Sequence, residues 1–206
     1  MTHDDLVKIA EKWLLKTRKC SFAFRELVCN ATSEIPDAIG FRDGGSILVE
    51  CKVTRADFLS DKKKFFRLHG WQGAGTFRMY LCPEGIIKPE DLPPKWGLIW
   101  VDGRGKARQI VGPKGNAWSD SVEFIHESNL RAEHGMMASA LRRLHLRGVL
   151  PLIYESPFPK PDKTSPVAAP ASRERRSAPA YQVQGSLLDL LGSESTDTGE
   201  IDLFGS

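Results

Sequence analysis

The chain has 206 residues, of which 41% are hydrophobic and 27% charged, and its formal net charge at pH 7 is +3. This length suits one domain with a sizeable core plus a tail. No apolar run approaches the ~20 residues of a membrane span, and the four cysteines lack the spacing of a zinc site or a disulfide framework. The start, MTHDDLVKIAEKW, is acidic where a signal peptide is basic, so we expect a cytoplasmic protein.

The first predicted elements are an amphipathic helix and a strand. The apolar residues of the helix recur at helical spacing behind an acidic first turn; they are Leu6, Ile9, Ala10, Trp13 and Leu14. We expect this helix to cover one face of a sheet. The strand runs from Phe22 to Val28 and places Glu26 on its core-facing register. Glu26 is then either a site residue or the ion-pair partner of Arg25 or Arg42.

A β-hairpin is predicted next. Two apolar runs flank the sequence RDGG at 42–45, and Asp-Gly is a strong signal for a two-residue turn. With Asp-Gly as the turn, Asp37 lies opposite Glu50, and facing residues project to the same side of the pair. With Gly-Gly as the turn, Asp37 lies opposite Lys52 instead.

Either turn brings two carboxylates and a lysine to one face of the hairpin, because period-2 alternation puts Leu48, Glu50 and Lys52 on the same side. The other side receives Ile47, Val49, Cys51 and Val53. A buried charge is costly unless it is paired or bound to a metal, and a divalent cation reverses the repulsion between two carboxylates. Oxygen ligands suit Mg²⁺ or Mn²⁺, and such an ion can activate water for phosphodiester hydrolysis. The alternative is a surface hairpin whose glutamate and lysine form a cross-strand ion pair.

The sequence Pro36-Asp37, followed by Glu50-Cys51-Lys52 at the end of an apolar strand, resembles the PD-(D/E)XK nuclease superfamily. The segment TRADFLSDKK at 54–63 is similar to the helix start of a bacterial DNA-repair nuclease-like branch, the MmcB type. Lys64 stands where that branch usually has an aromatic residue. The resemblance implies an α/β fold with a restriction-endonuclease-like core, in which helices flank a central mixed β-sheet.

The resemblance also implies roles for individual residues. Asp37 and Glu50 would be ligands of Mg²⁺ or Mn²⁺, and the backbone carbonyl of Cys51 would be a further ligand. Lys52 would position the attacking water or stabilise the charge that develops, and Glu26 would occupy a further acidic position of the catalytic site. The implied activity is that of a metal-dependent DNA endonuclease in repair or other DNA processing. A DNA-binding adaptor that keeps the fold without cutting is the alternative.

A basic helix is predicted after the hairpin, with Thr54 as its cap and Phe58, Leu59, Phe65 and Phe66 as its buried stripe. The basic side chains on its flanks are Arg55, Lys62, Lys63, Lys64 and Arg67. Next to a phosphodiester site these side chains would neutralise the backbone phosphates of DNA, the expected partner. The alternative is a helix surface that only favours solubility.

The remainder of the predicted domain, which ends at residue 154, contains three strands and a long helix. The strands are expected at 76–82, 97–101 and 107–111, and the helix at 129–147. Five apolar residues of this helix are expected in the core: Met136, Met137, Ala140, Leu141 and Leu144. The sequence is compatible with a monomer and with a homodimer.

Residues 155–206 are rich in Pro, Ala and Ser, which predicts a flexible linker and a disordered tail. This segment carries a net charge of −3 and residues 1–154 a net charge of +6, a division that fits a nucleic-acid partner. Close to the end, Ile201, Asp202, Leu203 and Phe204 resemble the bacterial sliding-clamp-binding pentapeptide, with Glu200 in place of its glutamine. The resemblance implies recruitment by the clamp. The alternatives are a tail that folds back onto its own domain and an accidental match.

Overall fold

The computed structural model describes residues 1–30, 32–42, 45–115 and 118–155. The helices are α1 (His3–Lys16), α2 (Arg55–Asp61), α3 (Phe65–Leu68) and α4 (Leu130–Leu146), and the strands are β1 (Phe22–Arg25), β2 (Ala38–Arg42), β3 (Gly45–Cys51), β4 (Phe77–Pro83), β5 (Trp96–Val101) and β6 (Ala107–Val111). Short 3₁₀ helices occupy Gly70–Gln72, Pro89–Asp91, Trp118–Asp120, Val122–Phe124 and Leu150–Tyr154. The predicted linker and tail, including the clamp-like peptide, lie outside the described residues.

The strands form one mixed sheet in the order β1-β2-β3-β4-β5-β6. The pairs β1–β2, β2–β3 and β5–β6 are antiparallel, whereas β3–β4 and β4–β5 are parallel. Parallel neighbours need a crossover connection, and α2 and α3 lie in the one between β3 and β4. The predicted α/β class, with helices flanking a central mixed sheet, is therefore confirmed.

The two faces of the sheet carry separate cores. On one face, α1 packs its buried stripe against Ile47, Val49 and Cys51 of β3. On the other face, Leu48 lies in a core with Phe58 of α2 and Met136 of α4. This is the alternation predicted for β3, and it places the even-numbered residues of the strand on the side of α2 and α4.

The first helix is fixed at its start by a capping box. Thr2 Oγ accepts a hydrogen bond from the Asp5 amide at 3.2 Å, and the Thr2 amide donates to Asp5 Oδ2 at 2.8 Å. Leu6 and Ala10 on its inner face are fully buried. The beginning of α1 is therefore held against the sheet, which matters for the site below.

The predicted basic helix is shorter than expected and is divided into α2 and α3. Thr54 caps α2 as predicted, because its Oγ accepts from the Asp57 amide at 3.2 Å. The helix ends at Asp61, whose carboxylate turns into the interior, and the backbone at Lys64 is extended before α3 begins. Leu59 and Phe65 are consequently about half exposed, so their prediction as buried residues was wrong.

Two further boundaries differ from the prediction. The first strand ends at Arg25 and not at Val28, because Glu26 adopts a left-handed backbone (φ 44°) that cannot continue an extended ladder. The last helix, capped by Asn129, has nearly the predicted extent, but Leu141 and Leu144 are exposed, so their prediction as core residues was wrong. In the described part of the chain, no helix is long and apolar enough to cross a membrane.

Candidate metal centre

The β2–β3 register is the first of the two predicted registers. Arg42 pairs with Gly45 and Ala38 with Val49, so the next residue outward, Asp37, follows the register that leads to Glu50. Asp37 is held there because its Oδ2 accepts a hydrogen bond from the Cys51 amide at 2.7 Å. The Cys51 side chain lies in the core beneath α1. The predicted role of its carbonyl as a metal ligand stays a prediction.

Glu50 and Lys52 lie at the end of β3 on the α2 side and are almost completely buried, with 3% and 2% exposure. Lys52 Nζ is 3.2 Å from Glu50 Oε2 and 3.1 Å from Asp61 Oδ1. Burial alone would lower the pKa of Lys52, but the negative charges of Glu50 and Asp61 outweigh it and raise that pKa. Lys52 is therefore an ammonium ion fixed between two carboxylates.

Arg67 of α3 joins the same group of charges. Its Nη2 is 3.0 Å from Glu50 Oε2, its Nη1 is 2.9 Å from Glu34 Oε1, and its Nε is 2.8 Å from Asp61 Oδ2. The guanidinium also lies 5.0 Å from the centre of the Trp96 ring. Because its side chain is only 6% exposed, the expectation that Arg67 stays available for DNA was wrong.

Asp61 connects this interior group to the surface. Its Oδ2 accepts a hydrogen bond from the Tyr80 hydroxyl at 2.9 Å, and its Oδ1 is 2.9 Å from Nζ of Lys64, which is 56% exposed. Burial would raise the pKa of Asp61, but the positive charges of Arg67 and then Lys52 hold that pKa below its usual range. Asp61 is therefore an ionised partner of both.

Asp37 and Glu50 are two carboxylates whose negative charges repel each other. Burial, and then the negative charge of Glu50, raise the pKa of Asp37 to about 6. A divalent cation would offset the repulsion between Asp37 and Glu50, so the residues present fit the metal that the sequence predicted.

Asp37 also belongs to a more accessible group. His3 Nε2 lies 3.5 Å from Asp37 Oδ1 and 3.6 Å from Glu26 Oε1. One ligand atom from each of the three residues lies within 4.8 Å of the others, which makes this a possible metal-binding group. Glu26 is therefore close to Asp37, as its predicted role requires.

His3 and Asp61 are the neighbours that the sequence analysis missed. His3 precedes Val7, Ala10 and Leu14 at helical spacing, so the sheet-facing stripe of α1 already contained it. Asp61 follows Phe58 by three residues and shares the buried face of α2 in the same way. Their spacing was informative, but their partners come from strands that are distant in the sequence.

The other predicted DNA-binding residues lie around α2, and most have partners. Arg55 binds both carboxylate oxygens of Asp91, at 2.6 and 2.7 Å. Lys62 donates to the Asp91 carbonyl at 2.7 Å, and its ammonium lies over the Phe58 ring. Lys63 is exposed to solvent. The basic surface next to the site therefore consists mainly of Lys63 and Lys64.

No family model and no curated protein matches this chain. Among solved structures, the chain is similar to a protein of unknown function from Silicibacter pomeroyi, with a TM-score of 0.49 and 20% sequence identity. The similarity covers 71% of this chain and 92% of that one.

Proposed function

We propose that this chain is a metal-dependent DNA endonuclease that uses Mg²⁺ or Mn²⁺ and acts in DNA repair or another DNA-processing task. The observation that carries the proposal is the β2–β3 register, whose continuation beyond the Ala38–Val49 pair leads from Asp37 to Glu50, and Lys52 Nζ lies 3.2 Å from Glu50 Oε2. Asp37 and Glu50 would hold the ion. The repulsion between Asp37 and Glu50 supports a cation there.

The bound ion would lower the pKa of a water molecule and stabilise negative charge on the attacked phosphate. The side chains would stabilise the developing charge and position the groups that do so. The raised pKa of Lys52 favours an ammonium that stabilises developing charge over a lysine that acts as a base. Arg67 and Asp61 position that ammonium and the Glu50 carboxylate, since both contact the pair directly.

The site is open to solvent on the side of Asp37, and this supports a substrate that approaches from that side. The Asp37 side chain is partly exposed, and its neighbours His3 and Glu26 are open to solvent, whereas Glu50 and Lys52 are enclosed. Lys64 is exposed and contacts the buried group through Asp61, and its sequence neighbour Lys63 is exposed. These lysines would contact backbone phosphates without selecting a sequence.

The test is a cleavage assay on a panel of single-stranded, duplex, flap and junction DNAs with Mg²⁺, Mn²⁺ or a chelator. We expect metal-dependent cutting that falls by about 100-fold or more in Asp37→Asn, Glu50→Gln and Lys52→Met, with DNA binding retained. Glu84→Gln is the matched control, because Glu84 is exposed and pairs with Arg108 on the surface. Undiminished cutting by purified Glu50→Gln protein would overturn the catalytic assignment.

A DNA-binding adaptor without cleavage is the second candidate. The observation that favours it is that Glu50 Oε2 already contacts both Lys52 and Arg67, so the buried end of the group is structurally satisfied. The same assay separates the two candidates. An adaptor would bind the DNA panel with equal affinity in the presence and absence of metal and would cut none of its members.

A further inference from the structure

Three segments that are distant in the sequence meet at one point on the surface. His3 is the first residue of α1, Glu26 follows β1, and Asp37 precedes β2. Each is held by local structure. The α1 capping box fixes the first turn, and the Glu26 amide donates to the Asp37 carbonyl at 3.2 Å.

Asp37 divides its two carboxylate oxygens between different partners. Oδ2 accepts from the Cys51 amide, and Oδ1 faces His3 Nε2. The inward oxygen fixes the carboxylate to β3, so the outward oxygen is held in one place. Asp37 therefore offers one preorganised oxygen toward the imidazole.

The separations within this group are long for hydrogen bonds. The His3 nitrogen is 3.5 and 3.6 Å from the two carboxylate oxygens, whereas N–H···O bonds are about 2.7–3.2 Å long. Ligands bound at about 2.1 Å around a tetrahedral ion lie about 3.4 Å from one another. The two separations from His3 are close to this value, and the three ligand atoms lie within 4.8 Å of one another.

We propose that His3 Nε2, the Glu26 carboxylate and Asp37 Oδ1 bind a divalent transition-metal ion such as Mn²⁺, Co²⁺ or Zn²⁺, and that this ion is the one assigned above to Asp37 and Glu50. An imidazole ligand favours these ions over Mg²⁺, which prefers oxygen ligands. His3 and Glu26 are 43% and 54% exposed, so the remaining coordination positions face solvent. The inference deepens the proposed nuclease and rests on it for the role of the ion, although the binding itself requires no DNA.

The experiment is calorimetric titration of tag-free, chelator-treated full-length protein with Mn²⁺ and with Mg²⁺. We expect His3→Gln and Glu26→Gln each to weaken Mn²⁺ binding about 10-fold or more, and His3→Gln to change Mg²⁺ binding less than Mn²⁺ binding. His134→Gln is the matched control, because His134 is exposed on α4 and distant in sequence from this group. Thermal melting of each variant separates a lost ligand from a lost fold.

A spectroscopic readout identifies the ligand directly. Electron spin-echo spectra of bound Mn²⁺ should show coupling to an imidazole nitrogen in the native protein and in His134→Gln, and should lose it in His3→Gln. Unchanged Mn²⁺ affinity or retained nitrogen coupling in His3→Gln would overturn the site, even if DNA is cut. Metal binding that depends on His3, in a protein that cuts no DNA, would support the site and overturn the nuclease.

Discussion

Arg67 binds carboxylates from three separate parts of the chain. Glu34 precedes β2, Glu50 lies on β3, and Asp61 ends α2. Burial alone would lower the pKa of Arg67, but the charges of Glu50 and Asp61 raise it well above its ordinary value. The guanidinium suits this position because its fork of donors can satisfy several oxygens at once.

Replacing Arg67 tests how strongly the interior depends on this guanidinium. Arg67→Met should lower the free energy of unfolding by about 3–5 kcal/mol, because it leaves buried carboxylates without their partner. Urea denaturation measures the change. Arg108→Met is the control, since the Arg108–Glu84 pair is exposed and should contribute less than about 1 kcal/mol. A loss below about 1 kcal/mol for Arg67→Met would contradict this structural role.

At the scale of elements, the β2–β3 hairpin could be predicted because its information is local. The Asp-Gly signal and the alternation along β3 predicted the register in which Arg42 pairs with Gly45 and Ala38 with Val49. The basic helix was predicted less well. Its division into α2 and α3 depends on Asp61, which turns inward to reach Lys52 and Tyr80. The helical spacing places Asp61 on the buried face of α2 with Phe58, but it does not identify Lys52 and Tyr80 as its partners.

The neighbours of the residues in the metal group also could not be predicted from the sequence. His3 could be assigned to the inner stripe of α1, but its position beside Asp37 depends on where the helix docks across the sheet. Glu34 illustrates it further, because its carboxylate accepts from the Ala74 amide at 2.7 Å while it pairs with Arg67. The sequence carries the chemistry of these residues, and only the tertiary packing brings them together.

The lysines that follow α2 provide a test of the predicted contact with DNA. If Lys63 contacts a DNA phosphate, Lys63→Gln should reduce the magnitude of the slope of log affinity against log salt by about 1. Lys62→Gln is the matched control, because the Lys62 ammonium is already bound by the Asp91 carbonyl. Fluorescence anisotropy at several salt concentrations measures both slopes. Equal slopes for native protein and Lys63→Gln would assign this lysine to solubility alone.

For the whole molecule, the two parts of the sequence carry opposite charge. Residues 1–154 have a net charge of +6, whereas residues 155–206 have a net charge of −3. A basic domain would attract the DNA backbone at long range. An acidic peptide would gain little from DNA, so the apolar residues near its end suit a protein partner better.

We therefore propose the bacterial sliding clamp as that partner, with Leu203 and Phe204 filling an apolar pocket. A peptide joined to the domain by the predicted linker would raise the local concentration of the domain near DNA without a sequence-specific contact. Calorimetry with purified clamp should give a dissociation constant in the tens of micromolar or tighter for the native chain. The double substitution Leu203→Ala with Phe204→Ala should abolish the binding. Equal binding by the native chain and the Leu203/Phe204 variant would rule out this peptide as the clamp ligand.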